Sequence, residues 1–432
     1  RPNGFCKKDQ EACELLAEEL TDIMSQLEEE NGFLDGSRSG YISVAKVDSS
    51  FQMKIEKVEI QPDDAKIAEL LRMGKNISIR VQLLHGPEPV AHECRISQLK
   101  PEQISSGGAP VSKRAKSDGS VAADFGLWNI RVNETAVFDI KTMDIPRSTR
   151  VFIELQQGPE QTTFGYCVFP LFAYDNSIRY TKSEVCMIIG KPTSMRSPIM
   201  STVHKNIMIH IEFDTDSGGR QIMFSDYAEN QSIALDSKTT KKNIPAEVQK
   251  IVRCHDLLQE LSRKEKRMIW ECRESLISEP KNLSLLALSC NWSYREDVLE
   301  MYRLIQKCAP MDPYSALYLL DNRFPDPKLR AYAVRCLGEL SDMTMSQLML
   351  QLVQVLKFEP SHDSSLCRFL LRRSILNPQI VGHSLYWMLY TEKNINDDHH
   401  HCRVLLELFL NGCEEYRTEI GHQQFILKKL AQ

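Results

Sequence analysis

The sequence predicts a multidomain β + α protein: an antiparallel β-sandwich followed by an all-α helical solenoid. Two observations carry that prediction. Between about residues 50 and 215, short runs rich in β-branched and aromatic residues recur with no helical pattern between most of them. From Ile244 onward, apolar residues return at helical spacing almost to the end, punctuated by prolines. The chain has 432 residues and is 42% hydrophobic, enough for more than one core, which excludes wholesale disorder.

Taken in order, residues 8–30 place Leu15, Leu16, Ile23 and Leu27 at helical spacing among acidic side chains. They predict an amphipathic lead-in helix, stopped by Asn31-Gly32 and Asp35-Gly36. The segment 53–60 alternates as a strand does, with Met53, Ile55, Val58 and Ile60 on changing faces. Further strands are expected at 76–84, 135–140, 150–155, 165–172, 184–190 and 206–213. Without inserted helices, parallel βαβ units are disfavoured and an antiparallel sandwich is expected. Polar stretches at 105–120 and 191–205 interrupt it; the first, rich in Ser and Gly, reads as a flexible loop.

Helices are expected at 246–261, 265–278, 294–307, 313–321, 327–338, 343–357, 364–376, 379–392, 401–417 and 422–430. Prolines 280, 310, 325, 327, 360 and 378 separate them. Helices this long with such short links must be antiparallel neighbours. The expected division is therefore 1–49 acidic lead-in, 50–215 sandwich, 216–243 linker and 244–432 helical domain.

The net charge of −5 is too mild to suggest nucleic acid as a partner. It is also unevenly spread: residues 1–30 hold three basic and nine acidic side chains, a balance of −6, leaving +1 for the remainder. No apolar run approaches the ~20 residues of a membrane-spanning helix, and no signal peptide opens the chain. The 13 cysteines include no CxxC pair, which excludes zinc-ribbon and thioredoxin-like sites and predicts reduced, mostly buried thiols of a cytoplasmic protein. Cys254, Cys272, Cys290 and Cys308 are each 18 residues apart, but Pro280 and Pro310 rule out one continuous helix, so the spacing reads as coincidence.

Several motifs invite a chemical reading and fail on context. Asp124-Phe125-Gly126 spells the metal-binding triplet of a protein kinase, yet no catalytic loop or glycine-rich phosphate loop precedes it. Gly190-Lys191 and Gly74-Lys75 lack the upstream glycine and the Ser/Thr of a phosphate loop. Asp397-Asp398-His399-His400-His401-Cys402 has suitable ligand atoms, but adjacent residues point apart, so an inter-helix turn is expected. Asp214 and Asp216 after a strand suggest a calcium loop that lacks a second ligand set. Basic clusters at Lys113-Arg114-Ala-Lys116 and at Arg263-Lys264-Glu265-Lys266-Arg267 read first as solvated charge, and secondly as contacts to anionic lipid.

The segments KEKRMIWECR (264–273), SCNWSYREDVLEMYRLI (289–305), ALYLLDNRFPDPKLRAYAVRCLGEL (316–340), LMLQLVQVLKFE (348–359), CRFLLRRSI (367–375) and IVGHSLYWMLYTE (380–392) resemble, in order, the helical accessory domain of phosphatidylinositol 3-kinases. ISIRVQLLHGPEPV (77–90) and LWNIRVNETAVFDIKTMDIPRSTRVFIEL (127–155) resemble the C2 domain that precedes it in that family, with a class I flavour. The resemblance implies the catalytic subunit of a lipid kinase that phosphorylates the inositol 3-hydroxyl with ATP and Mg²⁺, its kinase domain following Gln432. No catalytic, cofactor or metal residue is expected in this span. A cytoplasmic protein recruited to phosphoinositide membranes and bound by an SH2-containing regulatory adaptor is implied. In class I relatives, acidic residues in the first turn meet that adaptor; here Glu260 keeps an acid, whereas Arg263 and Lys264 stand where negative charge is expected. Two other readings remain: a non-enzymatic adaptor built from the same modules, and a calcium-dependent C2-bearing phospholipase or transport protein.

Overall fold

The computed structural model describes residues 41–62, 71, 77–104, 114–115, 121–122, 127–158, 160–173, 175–178, 182–190, 206–213, 220–224, 244–254, 260–359, 361, 363–395 and 400–430. The expected lead-in helix, Asp124, Asp214, Asp216, Asp397 and Asp398 lie outside these residues.

The strands are β1 (Tyr41–Ser43), β2 (Ser50–Ile60), β3 (Ile77–His85), β4 (Glu88–Pro89), β5 (Cys94–Leu99), β6 (Glu102–Ile104), β7 (Arg114–Ala115), β8 (Val121–Ala122), β9 (Leu127–Lys141), β10 (Arg150–Gln157), β11 (Thr162–Pro170), β12 (Lys182–Cys186), β13 (Ile188–Ile189), β14 (Ile207–Phe213) and β15 (Gln221–Met223). One sheet runs β12-β14-β2-β9-β6; the other runs β13-β11-β10-β3-β4, with β5 also on β3. Pairing within both is antiparallel. Residues from both sheets, Met53, Ile209 and Phe138 from the first and Ile79, Val81 and Ile153 from the second, meet in one buried core. The sequence therefore yields the expected antiparallel sandwich.

Three local features go beyond the sequence pattern. Met53, Ile55, Val58 and Ile60 all enter the core, although their parity changes midway. A register shift between Ile55 and Lys57 supplies the extra residue and restores the face, as a β-bulge does. The predicted 184–190 strand is two short strands, β12 and β13, belonging to opposite sheets. Part of the expected flexible loop 105–120 pairs as a small hairpin, Arg114 with Ala122 and Ala115 with Val121. The core also includes Val44, Val47, Ile222 and Phe224, which lie outside 50–215.

The helices are α1 (Ala246–Cys254), α2 (Arg263–Glu271), α3 (Arg273–Leu276), α4 (Leu283–Ser289), α5 (Arg295–Lys307), α6 (Pro313–Tyr318), α7 (Pro327–Leu337), α8 (Asp342–Val355), α9 (Ser365–Leu376), α10 (His383–Ile395), α11 (His400–Gly412) and α12 (Tyr416–Leu430). Starts follow the capping chemistry: Asp312 and Asp326 accept backbone N–H bonds with Pro at the first helical position, and Ser341 and Ser364 cap α8 and α9. Helices touch their next-but-one neighbours, α5 with α7, α7 with α9, α9 with α11 and α8 with α10, as well as adjacent ones. That pattern builds a layered array on one continuous core from Val248 to Ile420. Inside it, Arg330 and Glu359 form a buried ion pair, Arg330 Nε donating to Glu359 Oε1 at 2.9 Å while its Nη1 bonds the Leu320 carbonyl at 2.7 Å. The described cysteines are free thiols, most of them buried. No helix among the described residues is long and apolar enough to cross a membrane.

Candidate functional site: the junction of sandwich and helices

Strand β3 alternates buried and half-buried residues up to Gln82, then buries Leu83, Leu84 and His85 in succession. There the sheet runs into the helical array. His85 stacks on Trp292, the rings 4.7 Å apart and inclined by 23°. The next residue, Gly86, adopts φ +61°, and a Cβ there would lie 2.6 Å from the Asn322 carbonyl oxygen. Only glycine satisfies both the left-handed backbone and that close approach. Arg150, at the start of β10, donates from Nη2 to the Gly86 carbonyl at 2.9 Å and to Asn322 Oδ1 at 3.3 Å.

Polar contacts complete the seam. Lys266 Nζ on α2 meets Glu88 Oε1 at 2.7 Å. Ser293 Oγ donates to the Val90 carbonyl at 3.0 Å, and the Arg295 amide donates to Asp144 Oδ1 at 3.2 Å. The Asp144 contact satisfies a free N–H at the start of α5. The electrostatics are those of a dry seam. Burial and the adjacent Arg150 guanidinium push the His85 imidazole down to about 3. Burial pulls Arg150 down to about 10. Arg150 Nε and His85 Nε2 are both buried without a hydrogen-bond partner among the described residues.

The residues singled out in the sequence fall beside this seam or elsewhere. Glu260, Arg263 and Lys264 are exposed around the first turn of α2. Ser262 and Glu265 close a capping box there, Glu265 Oε2 accepting from the Ser262 amide at 2.9 Å, so Glu265 is committed to the helix start. Lys266, from the same basic run, turns to the sandwich instead. Arg114 lies in the β7–β8 hairpin, whereas Lys113 and Lys116 lie outside the described residues. Cys402 is buried in α11, its thiol pushed up to about 12, which does not suit a metal ligand. Among the described residues no group of His, Cys, Asp and Glu could hold a metal ion. Sequence reasoning missed His85, Gly86, Arg150, Trp292 and Asn322. The available signal was the lost alternation at Leu83-Leu84-His85.

The structure thus defines a class: an α-helical array docked against the end of an antiparallel sandwich. Comparison with known proteins makes it particular. Residues 236–421 match the family model described as "Phosphoinositide 3-kinase family, accessory domain (PIK domain)". Phosphatidylinositol 3-kinase 1 of Dictyostelium discoideum is 37% identical over 177 residues, 41% of this chain and 11% of the relative. Phosphatidylinositol 3-kinase 2 of the same organism is 34% identical over 175 residues, 40% of this chain and 9% of the relative. The chain matches about a tenth of the length of these relatives. Its helical segment is a phosphoinositide 3-kinase accessory domain, as the sequence resemblance implies.

Proposed function

We propose that this chain is the accessory region of a phosphatidylinositol 3-kinase catalytic subunit, its sandwich acting as a C2-like module. The observation that carries the reading is the match of residues 236–421 to the family's accessory domain, in a segment that packs as one helical core. ATP and Mg²⁺ are assigned to a kinase domain of the intact protein, as the family resemblance implies. This region holds and orients. The final turns of α12 support that role: Phe425, Ile426, Leu427 and Leu430 are each at least half exposed, an apolar surface suited to a following domain. The seam at His85 and Gly86 fixes the sandwich to the array, so that neighbouring domains attach to one frame.

The test is a lipid kinase assay on the intact protein with phosphatidylinositol vesicles and Mg·ATP. A product phosphorylated at the inositol 3-hydroxyl is expected, and no lipid phosphorylation by a folded intact protein would overturn the reading. Within it, Glu260, Arg263 and Lys264 form the proposed contact with an SH2-bearing adaptor. Glu260→Lys is expected to weaken adaptor binding and raise basal activity; unchanged adaptor affinity removes that contact. Lys113, Arg114 and Lys116 are proposed to meet anionic lipid when the cytoplasmic protein is recruited to the membrane. Replacing all three by Ala should lower liposome binding, and unchanged binding disposes of the idea.

A further inference from the structure

We propose that the seam between sandwich and helices is a proton-sensitive latch, closed only while His85 is uncharged and loosened by acid. The geometry leaves no place for an imidazolium. One face of the His85 ring is taken by Trp292, and Nδ1 pairs with Ser148 Oγ at 3.0 Å. Nε2 is buried with no acceptor among the described residues, so a second ring proton there would meet no described protein partner. The charged neighbour from β10 is Arg150, a second cation that is itself buried.

Charged groups on the surrounding elements have partners of their own, and on α5 Asp297 Oδ1 accepts from Trp270 Nε1 at 3.0 Å. Glu88 is held by Lys266 and Asp144 by the Arg295 amide. On the helical side, Arg323 pairs with Asp321 at 3.2 Å. Arg147, on the loop before β10, donates to Asn176 Oδ1 at 2.8 Å and to the Ala173 carbonyl at 2.9 Å. No described carboxylate is bonded to the His85 ring. Closure therefore demands the neutral form, whereas a separated seam returns the imidazole to water, where it titrates near 6.5.

The direction follows from proton binding. The closed state takes up fewer protons than the open one, so the latch is at full strength above pH 6.5 and weakens as pH falls toward 3. Below about pH 6 the opening constant should approach a tenfold rise per pH unit, the limit for one linked proton. Trp292 and Asn322 belong to the helical array, so the linkage acts between the two modules, not within either.

Hydrogen exchange on the full chain tests this, with rates corrected for the intrinsic pH dependence. Peptides spanning 83–90 and 290–296 report the seam, and those spanning 207–213 report the sandwich interior. Between pH 6.5 and 5.5, seam protection should fall roughly five- to tenfold while the interior holds. His85→Phe keeps an aromatic ring against Trp292 and should give a pH-independent seam; His85→Asn serves if that variant does not fold. A wild-type seam whose protection does not change over this range overturns the proposal, as does an undiminished pH slope in either folded variant.

Discussion

The two sheets of the sandwich carry charge in opposite ways. On the sheet built around β2 and β14, Lys54, Glu56, Lys57, Glu59, Lys182 and Glu212 form a cross-strand ladder open to water, with Lys54–Glu212 at 3.2 Å and Lys182–Glu56 at 3.0 Å. The facing Lys182 and Lys57 ammonium groups hold Glu56 and Glu59 below the usual carboxylate range. On the other sheet, every residue of β10 is buried, including Arg150, Glu154 and Gln156. Phe152 there joins Leu84 and Val168 in a second small core on the face away from the main one. Charge on the ladder is hydrated and interchangeable, whereas charge at the seam is stripped of water and depends on each acceptor it still has.

That contrast can be broken by substitution. Gly86→Val should have the largest effect, combining an unfavourable φ with a backbone clash, and should cost about 3 kcal/mol in urea unfolding. A variant as stable as wild type would mean the seam is looser than its geometry. Asn322→Leu removes an acceptor from the buried Arg150 and should cost about 2 kcal/mol by the same measurement. Lys266→Ala opens a half-exposed pair with Glu88 and should cost about 0.5 kcal/mol, a loss that vanishes in high salt. Lys182→Ala on the ladder should leave the melting temperature unchanged within error. A ladder variant costing as much as a seam variant would erase the distinction.

Much of the fold was legible because periodicity survives where one face meets water. The outlines of β2, β3, β14 and most helices follow from it. Legibility fails where burial is two-sided or the backbone adds a residue. Helix α4 was missed because Leu283, Leu285, Leu286 and Ala287, together with Ser284 and Ser289, are all buried, leaving no polar face to set a period. The first half of β9 was missed because Asn133, with φ +47°, and the exposed Glu134 and Thr135 interrupt its alternation between Val132 and Ala136. The seam leaves one local mark, the lost alternation at Leu83-Leu84-His85, which does not name its partners. His85, Trp292 and Asn322 are far apart in sequence, and nothing local marks them as partners. By contrast, the capping box of α2 lies within one turn of sequence, Ser262 and Glu265, and starts the helix at Arg263, two residues before the expected 265.

The buried thiols carry one more consequence. Cys272, Cys290, Cys308, Cys336, Cys367, Cys402 and Cys413 are distributed along the helical array, each closed off from solvent. Burial raises the Cys367 and Cys402 thiols to about 11 and about 12, so at neutral pH neither ionises in place. An alkylating reagent can mark them only after the helices around them part. The order in which the seven are labelled would then be a stopwatch record of which end of the array lets go first.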